Sequence, residues 1–157
     1  MSDKQYVIIA PHCDDEIIGC YEILLDSNPI IIYYGDSPKE RREEAQKLKE
    51  YINIKAQLFQ KEIPTHIIKN CHIFAPDPFF EIHPLHRKLG FKAEQLLRDG
   101  YDVTFYNTIM NAPYIHEVEN IKEKEELLNT VYPTQKDLWL YEKKYVLFEG
   151  RCTWHRK

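Results

Sequence analysis

The order of apolar runs constrains this chain more than any other feature. Tyr6-Val7-Ile8-Ile9-Ala10 is short, rich in β-branched residues and free of polar alternation. That is the pattern of a strand buried on both faces. Pro11 to Asp15 reads as a turn, and Glu16 to Leu25 then has helical spacing. Pro29 to Tyr34 is a second strand run, closed by Gly35-Asp36-Ser37-Pro38. Lys39 to Tyr51 predicts an amphipathic helix with Ala45, Leu48 and Ile52 on one stripe, and Ala56 to Gln60 a third strand. Strand, helix, strand, helix, strand predicts an α/β fold: a parallel sheet with helices on its faces.

Further along, Ile63 to Pro84 reads as irregular, broken by Pro64, Pro76 and Pro78 and carrying Phe74, Phe79 and Phe80. Long loops of this kind in compact domains are often functional. Leu85 to Leu97 reads as a helix closed by Asp99-Gly100, Tyr101 to Tyr106 as a fourth strand, and Ile121 to Val131 as another helix. The aromatic-rich tail, Trp139 to Cys152, is expected to pack a last helix or strand on the core.

The 157 residues, 43% apolar and 29% charged, suit one domain spanning 1–157 with a real core. The net charge of −4 gives no basic footprint for general nucleic-acid binding. No apolar run approaches the ~20 residues of a membrane helix. The first residues lack the pattern of a signal peptide. Cys13, Cys20, Cys71 and Cys152 form no CxxC pair, so free thiols in a reducing cytoplasm are expected.

Two segments carry chemistry. The first is Pro11-His12-Cys13-Asp14-Asp15-Glu16, directly after the first strand. In open parallel sheets, ligands bind beyond the carboxyl ends of strands. His12 and Asp15, three apart at a turn entering a helix, can point at one metal. Asp14 projects differently and can face a water held on that metal. The alternative is that the three acids only cap the helix, where negative charge is favoured. The second segment is His83-Pro84-Leu85-His86-Arg87. Proline suits the first position of a helix, which puts His83 at the helix start and His86 about one turn on. Together His12, Asp15 and His86 supply three protein ligands with an open fourth position, the form of a catalytic zinc site. A mixed N/O donor set also suits other divalent metals. Cys13 reads as either a small buried filler or a redox-sensitive neighbour of the metal. His66, His72, His116 and His155 have no assigned role, and Trp139 and Trp154 read as core.

These pieces resemble the PIG-L/LmbE-like N-deacetylases. Residues 11–16 resemble the family's His-Pro-Asp-Asp-Glu signature, with Cys13 in place of proline. Residues 83–87 match His-Pro-Asp-His-Arg, with Leu85 in place of aspartate. Arg41-Arg42-Glu43-Glu44 fits the Arg-x-x-Glu helix motif, and Tyr132-Pro133-Thr134-Gln135 resembles a late Tyr-x-Ser-Gln motif. Glu142 to Tyr145 resembles a Glu-x-Phe segment. The chain is shorter than typical members, the missing length falling between the third strand and His83.

The resemblance implies a Rossmann-like three-layer sandwich with a mostly parallel sheet. It also implies a zinc-dependent hydrolase that removes an acetyl group from an N-acetylglucosamine conjugate. In that reading His12, Asp15 and His86 hold Zn2+, and Asp14 is the general base. His83, as imidazolium, steadies the oxyanion or protonates the leaving amine, and Arg41 contacts the sugar or a phosphate. A homo-oligomer fits the family, whose members form trimers or hexamers. Three other readings compete: a catalytically silent binding protein on the same fold, a deacylase of a modified nucleotide or base, and a nucleotide-binding transferase. The last should show a glycine-rich turn after the first strand, and no glycine precedes Gly19.

Overall fold

The protein is described by a computed structural model covering residues 4–108 and 114–152, the side chain of Tyr114 excepted. Trp154 and His155 lie outside the described residues. Five strands run parallel: β1 (Tyr6–Ala10), β2 (Ile30–Tyr33), β3 (Ala56–Phe59), β4 (His72–Pro76) and β5 (Asp102–Asn107). β7 (Phe148–Cys152) lies antiparallel to β5, and β6 (Tyr114–Glu117) antiparallel to β7. The order across the sheet is β3-β2-β1-β4-β5-β7-β6. The chain is thus α/β, with a mostly parallel mixed sheet in a Rossmann-like layered arrangement.

Period-two alternation explains the layers. Ile8 and Ala10 face one core with α1 (Asp15–Asp26), α2 (Lys39–Gln46) and α5 (Ile121–Val131). Val7 and Ile9 face a second core with α3 (Thr65–Ile68) and α4 (Pro84–Arg98). All four side chains are fully buried. Burying Val7, Ile8 and Ile9 contributes about 2 kcal/mol each. Trp139 of α6 (Lys136–Tyr141) and Val146 of α7 (Lys144–Leu147) complete the first core. No helix among the described residues is long and apolar enough to cross a membrane.

The structure corrects the reading of residues 63–84. This stretch contains α3 and, within it, β4, a central strand between β1 and β5. Only Ile73, Phe74 and Ala75 are apolar, between His72 and Pro76, so the run is too short to announce itself. Pro76 stands at the last strand position, where its missing N–H disturbs the ladder least. The run read from Tyr101 to Tyr106 is consequently the fifth strand, Asp102–Asn107. The tail supplies two helices and a strand. The helix from Lys39 ends at Gln46 and tightens into a 3-10 turn, Lys47–Glu50, while Ala45 and Leu48 stay buried as the stripe predicts.

One local irregularity is offset by buried charge. Cys20 has φ −136° and breaks α1, which frees backbone groups that the helix ladder would satisfy. Lys124 Nζ donates to the Ile18 carbonyl at 2.9 Å, and Arg151 Nη1 to the Gly19 carbonyl at 2.6 Å. Tyr21 N donates to Glu149 Oε2 at 2.7 Å, and Glu149 binds both cations. Lys124 and Glu149 are fully buried, and burial pulls the Lys124 pKa down against the opposing pull of Glu149. Lys124→Met removes one partner of a buried pair and should lower the unfolding free energy by about 3 kcal/mol, read from the urea midpoint. A loss below about 0.5 kcal/mol, the scatter of ordinary surface changes, would show that Lys124 does not hold the break.

Candidate metal centre

The site lies where the strand order reverses. From β1 the chain builds outward through β2 and β3, then returns to place β4 on the other side of β1. Loops leaving the carboxyl ends of β1 and β4 diverge there and leave a crevice. The first loop carries His12 and Asp14 and leads into Asp15 at the start of α1; the second carries Glu81 and His83 and leads into His86 in the first turn of α4. α4 seats closely because Gly90 faces the end of β4: a Cβ there would lie 2.6 Å from the Pro76 carbonyl oxygen.

Three donor atoms converge. His12 Nδ1 and His86 Nε2 are 3.2 Å apart, Asp15 Oδ2 is 3.4 Å from His12 Nδ1, and it is 3.2 Å from His86 Nε2. A tetrahedral zinc with bonds of 2.0–2.1 Å needs neighbouring donors about 3.3–3.4 Å apart. The two-nitrogen, one-oxygen donor set suits a divalent metal ion. His12 N also donates to Asp15 Oδ2 at 2.9 Å, locking the loop onto its own carboxylate.

Asp14 precedes α1 with φ 135°, a region unfavourable to any residue but glycine. Such strain costs about 1–3 kcal/mol and persists only where the surroundings enforce it. Here Asp14 N donates to Glu16 Oε2 at 3.0 Å, and the Asp14 carbonyl accepts from Ile17 N and Ile18 N. The Asp14 side chain makes no capping hydrogen bond. Instead its Oδ2 accepts from Arg41 Nη2 at 3.1 Å, and the same nitrogen donates to the Cys13 carbonyl at 2.8 Å. Glu16 is buried beneath, accepting from Tyr33 OH at 3.0 Å and from Tyr132 OH. Burial raises its pKa from 4.5 to about 7 despite these donors.

His83 caps α4: its Nδ1 accepts from Leu85 N at 3.1 Å. That assigns the ring proton of the neutral form to Nε2. Burial, then the nearby His86 and His12 rings, lower the His83 pKa, so the neutral ring is favoured. This differs from the imidazolium expected for His83. Its ring lies 4.8 Å from that of His12 and 5.0 Å from that of His86.

These groups line a cleft of about 290 Å³ that also takes in Ile18, Arg41, Gln135, Leu138 and Tyr145. The volume is at the lower end for a small-molecule site. Glu44 connects the late segment to it, accepting from Thr134 N at 3.1 Å and from Thr134 Oγ1. The chain has no match among protein-family models, curated proteins or solved structures.

All six site residues predicted from the sequence border this cleft: His12, Asp14, Asp15, Arg41, His83 and His86. Arg41 also pairs with Asp14, which the sequence did not indicate. The sequence also passed over Glu81 and Thr108, which stand behind His86. An acid in a proline-rich loop five residues before a histidine carries no periodic signal. Cys13 is fully buried, and burial pushes its thiol up to about 12, the state of an unreactive filler. His72 pairs with Asp102 and His116 with Glu22, away from the cleft.

Electrostatics would make metal binding at this cluster depend on pH. Burial alone would lower the His86 pKa, but Asp15 and Glu81 outweigh it and raise it from 6.5 to about 10. Burial would likewise raise Asp15, yet the His86 and His12 rings hold it well below the carboxylate range. Near neutral pH the metal-free site therefore carries a proton on His86 that an incoming ion must displace. Higher pH removes that competitor, so apparent zinc affinity should tighten about tenfold between pH 7 and 8, measured by chelator competition. A flat dependence over that interval would refute proton displacement from His86.

Proposed function

We propose that this chain is a zinc-dependent hydrolase that removes an N-acyl group, acetyl by its resemblance to the PIG-L/LmbE-like deacetylases, from an amino-sugar conjugate. The observation that carries the reading is the convergence of His12, Asp15 and His86 at ion-sized separations beside Asp14 and His83. A divalent ion bound by these three residues supplies Lewis acidity toward the amide carbonyl and lets water ionise near neutral pH.

The protein groups then divide the work. Asp14 takes the proton from the attacking water, its carboxylate aimed by Arg41 through Oδ2. The neutral His83 turns Nε2–H toward the developing oxyanion, because Leu85 N occupies Nδ1. As the new C–O bond forms and the C–N bond breaks, the leaving nitrogen takes up the proton that Asp14 accepted. Arg41, Gln135 and Tyr145 offer polar atoms to a sugar, and Ile18 and Leu138 offer apolar surface. The ties from Glu16 to Tyr132 and from Glu44 to Thr134 support reading the late motif as part of the same site, on an LmbE-like fold.

The test combines metal analysis with acetate release from N-acetylglucosamine derivatives. The expected result is one zinc per chain and turnover. Asp14→Asn should keep the zinc and lose about 10²–10⁴-fold in kcat. Full turnover in that variant would remove Asp14 from its role. Stoichiometric zinc without hydrolysis of any amide in a broad panel would overturn the hydrolase reading in favour of a silent binding protein.

A further inference from the structure

We infer that Glu81 is the positioning residue of the centre: it fixes the ring of His86 so that Nε2, and not Nδ1, meets the ion. The inference rests on the metal site proposed above and assigns it a residue that the sequence motifs do not contain.

The geometry is specific. Glu81 is 1% exposed and lies in the loop between β4 and α4. Its Oε1 is 3.1 Å from His86 Nδ1, so the neutral ring carries its proton on Nδ1 and donates it to Glu81. The opposite nitrogen, Nε2, faces Asp15 and His12. A metal-ligating histidine commonly donates its other ring N–H to a carboxylate, which sets the tautomer and raises ligand basicity.

Glu81 is itself held. Oε1 also accepts from Thr108 N at 3.0 Å and from Thr108 Oγ1 at 2.8 Å, at the end of β5. Its own backbone N donates to the Asp77 carbonyl at 3.3 Å, and Asp77 Oδ1 accepts from Phe79 N and Phe80 N. A buried carboxylate with three donors on one oxygen has little freedom to turn. Its Oε2 has no hydrogen-bond partner among the described residues, so the surroundings commit the group through Oε1 alone. Burying a carboxyl group with one oxygen unpartnered is costly without a compensating role. Orientation of His86 supplies one.

The test measures zinc affinity by chelator competition at one fixed pH for wild type, Glu81→Gln and Glu81→Ala. Gln keeps an oxygen acceptor for Nδ1–H but loses the charge; Ala loses both. Affinity should fall in the order wild type, Gln, Ala, with Ala about 10–100-fold weaker. In the Co2+-substituted wild type, the His86 Nδ1–H should give a shifted proton resonance slow to exchange with solvent, and Glu81→Ala should lose it. If Glu81→Ala does not fold, the Gln variant decides alone. Equal affinity to within twofold, with the protected resonance retained, would overturn the inference and leave the metal site standing. Absence of stoichiometric zinc in the wild type would overturn both.

Discussion

The parallel pairing of β1 with β4 is the contact on which the site depends. Ile8 stands opposite Phe74 in this pair, and the two strands end side by side. Because both run the same way, their following loops emerge at one edge of the sheet. That edge is also where the strand order reverses, so the loops part and leave a crevice rather than packing flat. His12 and His86, 74 residues apart, meet there at 3.2 Å. The helices fix the remaining freedom: Asp15 and Glu16 open α1, and His83 caps α4. Of the three converging residues, Asp15 and His86 stand in first helical turns and His12 in the short turn between β1 and α1, so none hangs on a long free loop.

A high concentration of buried titratable groups surrounds this contact, and pairing offsets only part of the cost: burial raises the Asp14 pKa despite Arg41 and that of Glu16 despite its two tyrosines. Asp14, Asp15 and Glu16 on one segment and Glu81 and His86 on another are all nearly or fully buried around this contact. Unpaired, such groups would be neutralised or would unfold the domain. Each has a defined partner: Arg41 for Asp14, the imidazoles for Asp15, two tyrosine hydroxyls for Glu16, and Thr108 with His86 for Glu81. The cluster also holds one strained residue, Asp14, at the point proposed for proton transfer. Backbone strain pinned by several hydrogen bonds keeps that carboxylate in one orientation. Buried polar groups that serve no packing purpose are expected where a site is preorganised.

Much of the candidate site was legible because its residues sit next to strong local signals. His12, Asp14 and Asp15 directly follow a short run rich in β-branched residues that reads as a buried strand. His83 and His86 flank a proline at a helix start, whose fixed φ marks the boundary. β4 was not legible: three apolar residues between a histidine and a proline satisfy neither strand nor helix periodicity. Its strand character comes from neighbours on both sides, which sequence spacing does not record. The same holds for Glu81, whose role exists only because β5 brings Thr108 beside it. Arg41 was visible as a side chain near the site, but its grip on Asp14 depends on the angle at which α2 meets the first loop.

The sequence by itself determined the α/β class, the parallel start of the sheet, the helix boundaries at Pro84 and Ile121, and the short list of residues with metal-binding and acid–base chemistry. These follow from local periodicity, capping and side-chain type, which act over a few residues. Only the tertiary structure decided that β4 lies against β1, that three donors reach one another at ion-sized separations, and that Glu81 backs His86. Those facts depend on which strands pair across long loops, and such pairing is set by burial of the whole sheet on two faces rather than by any single segment.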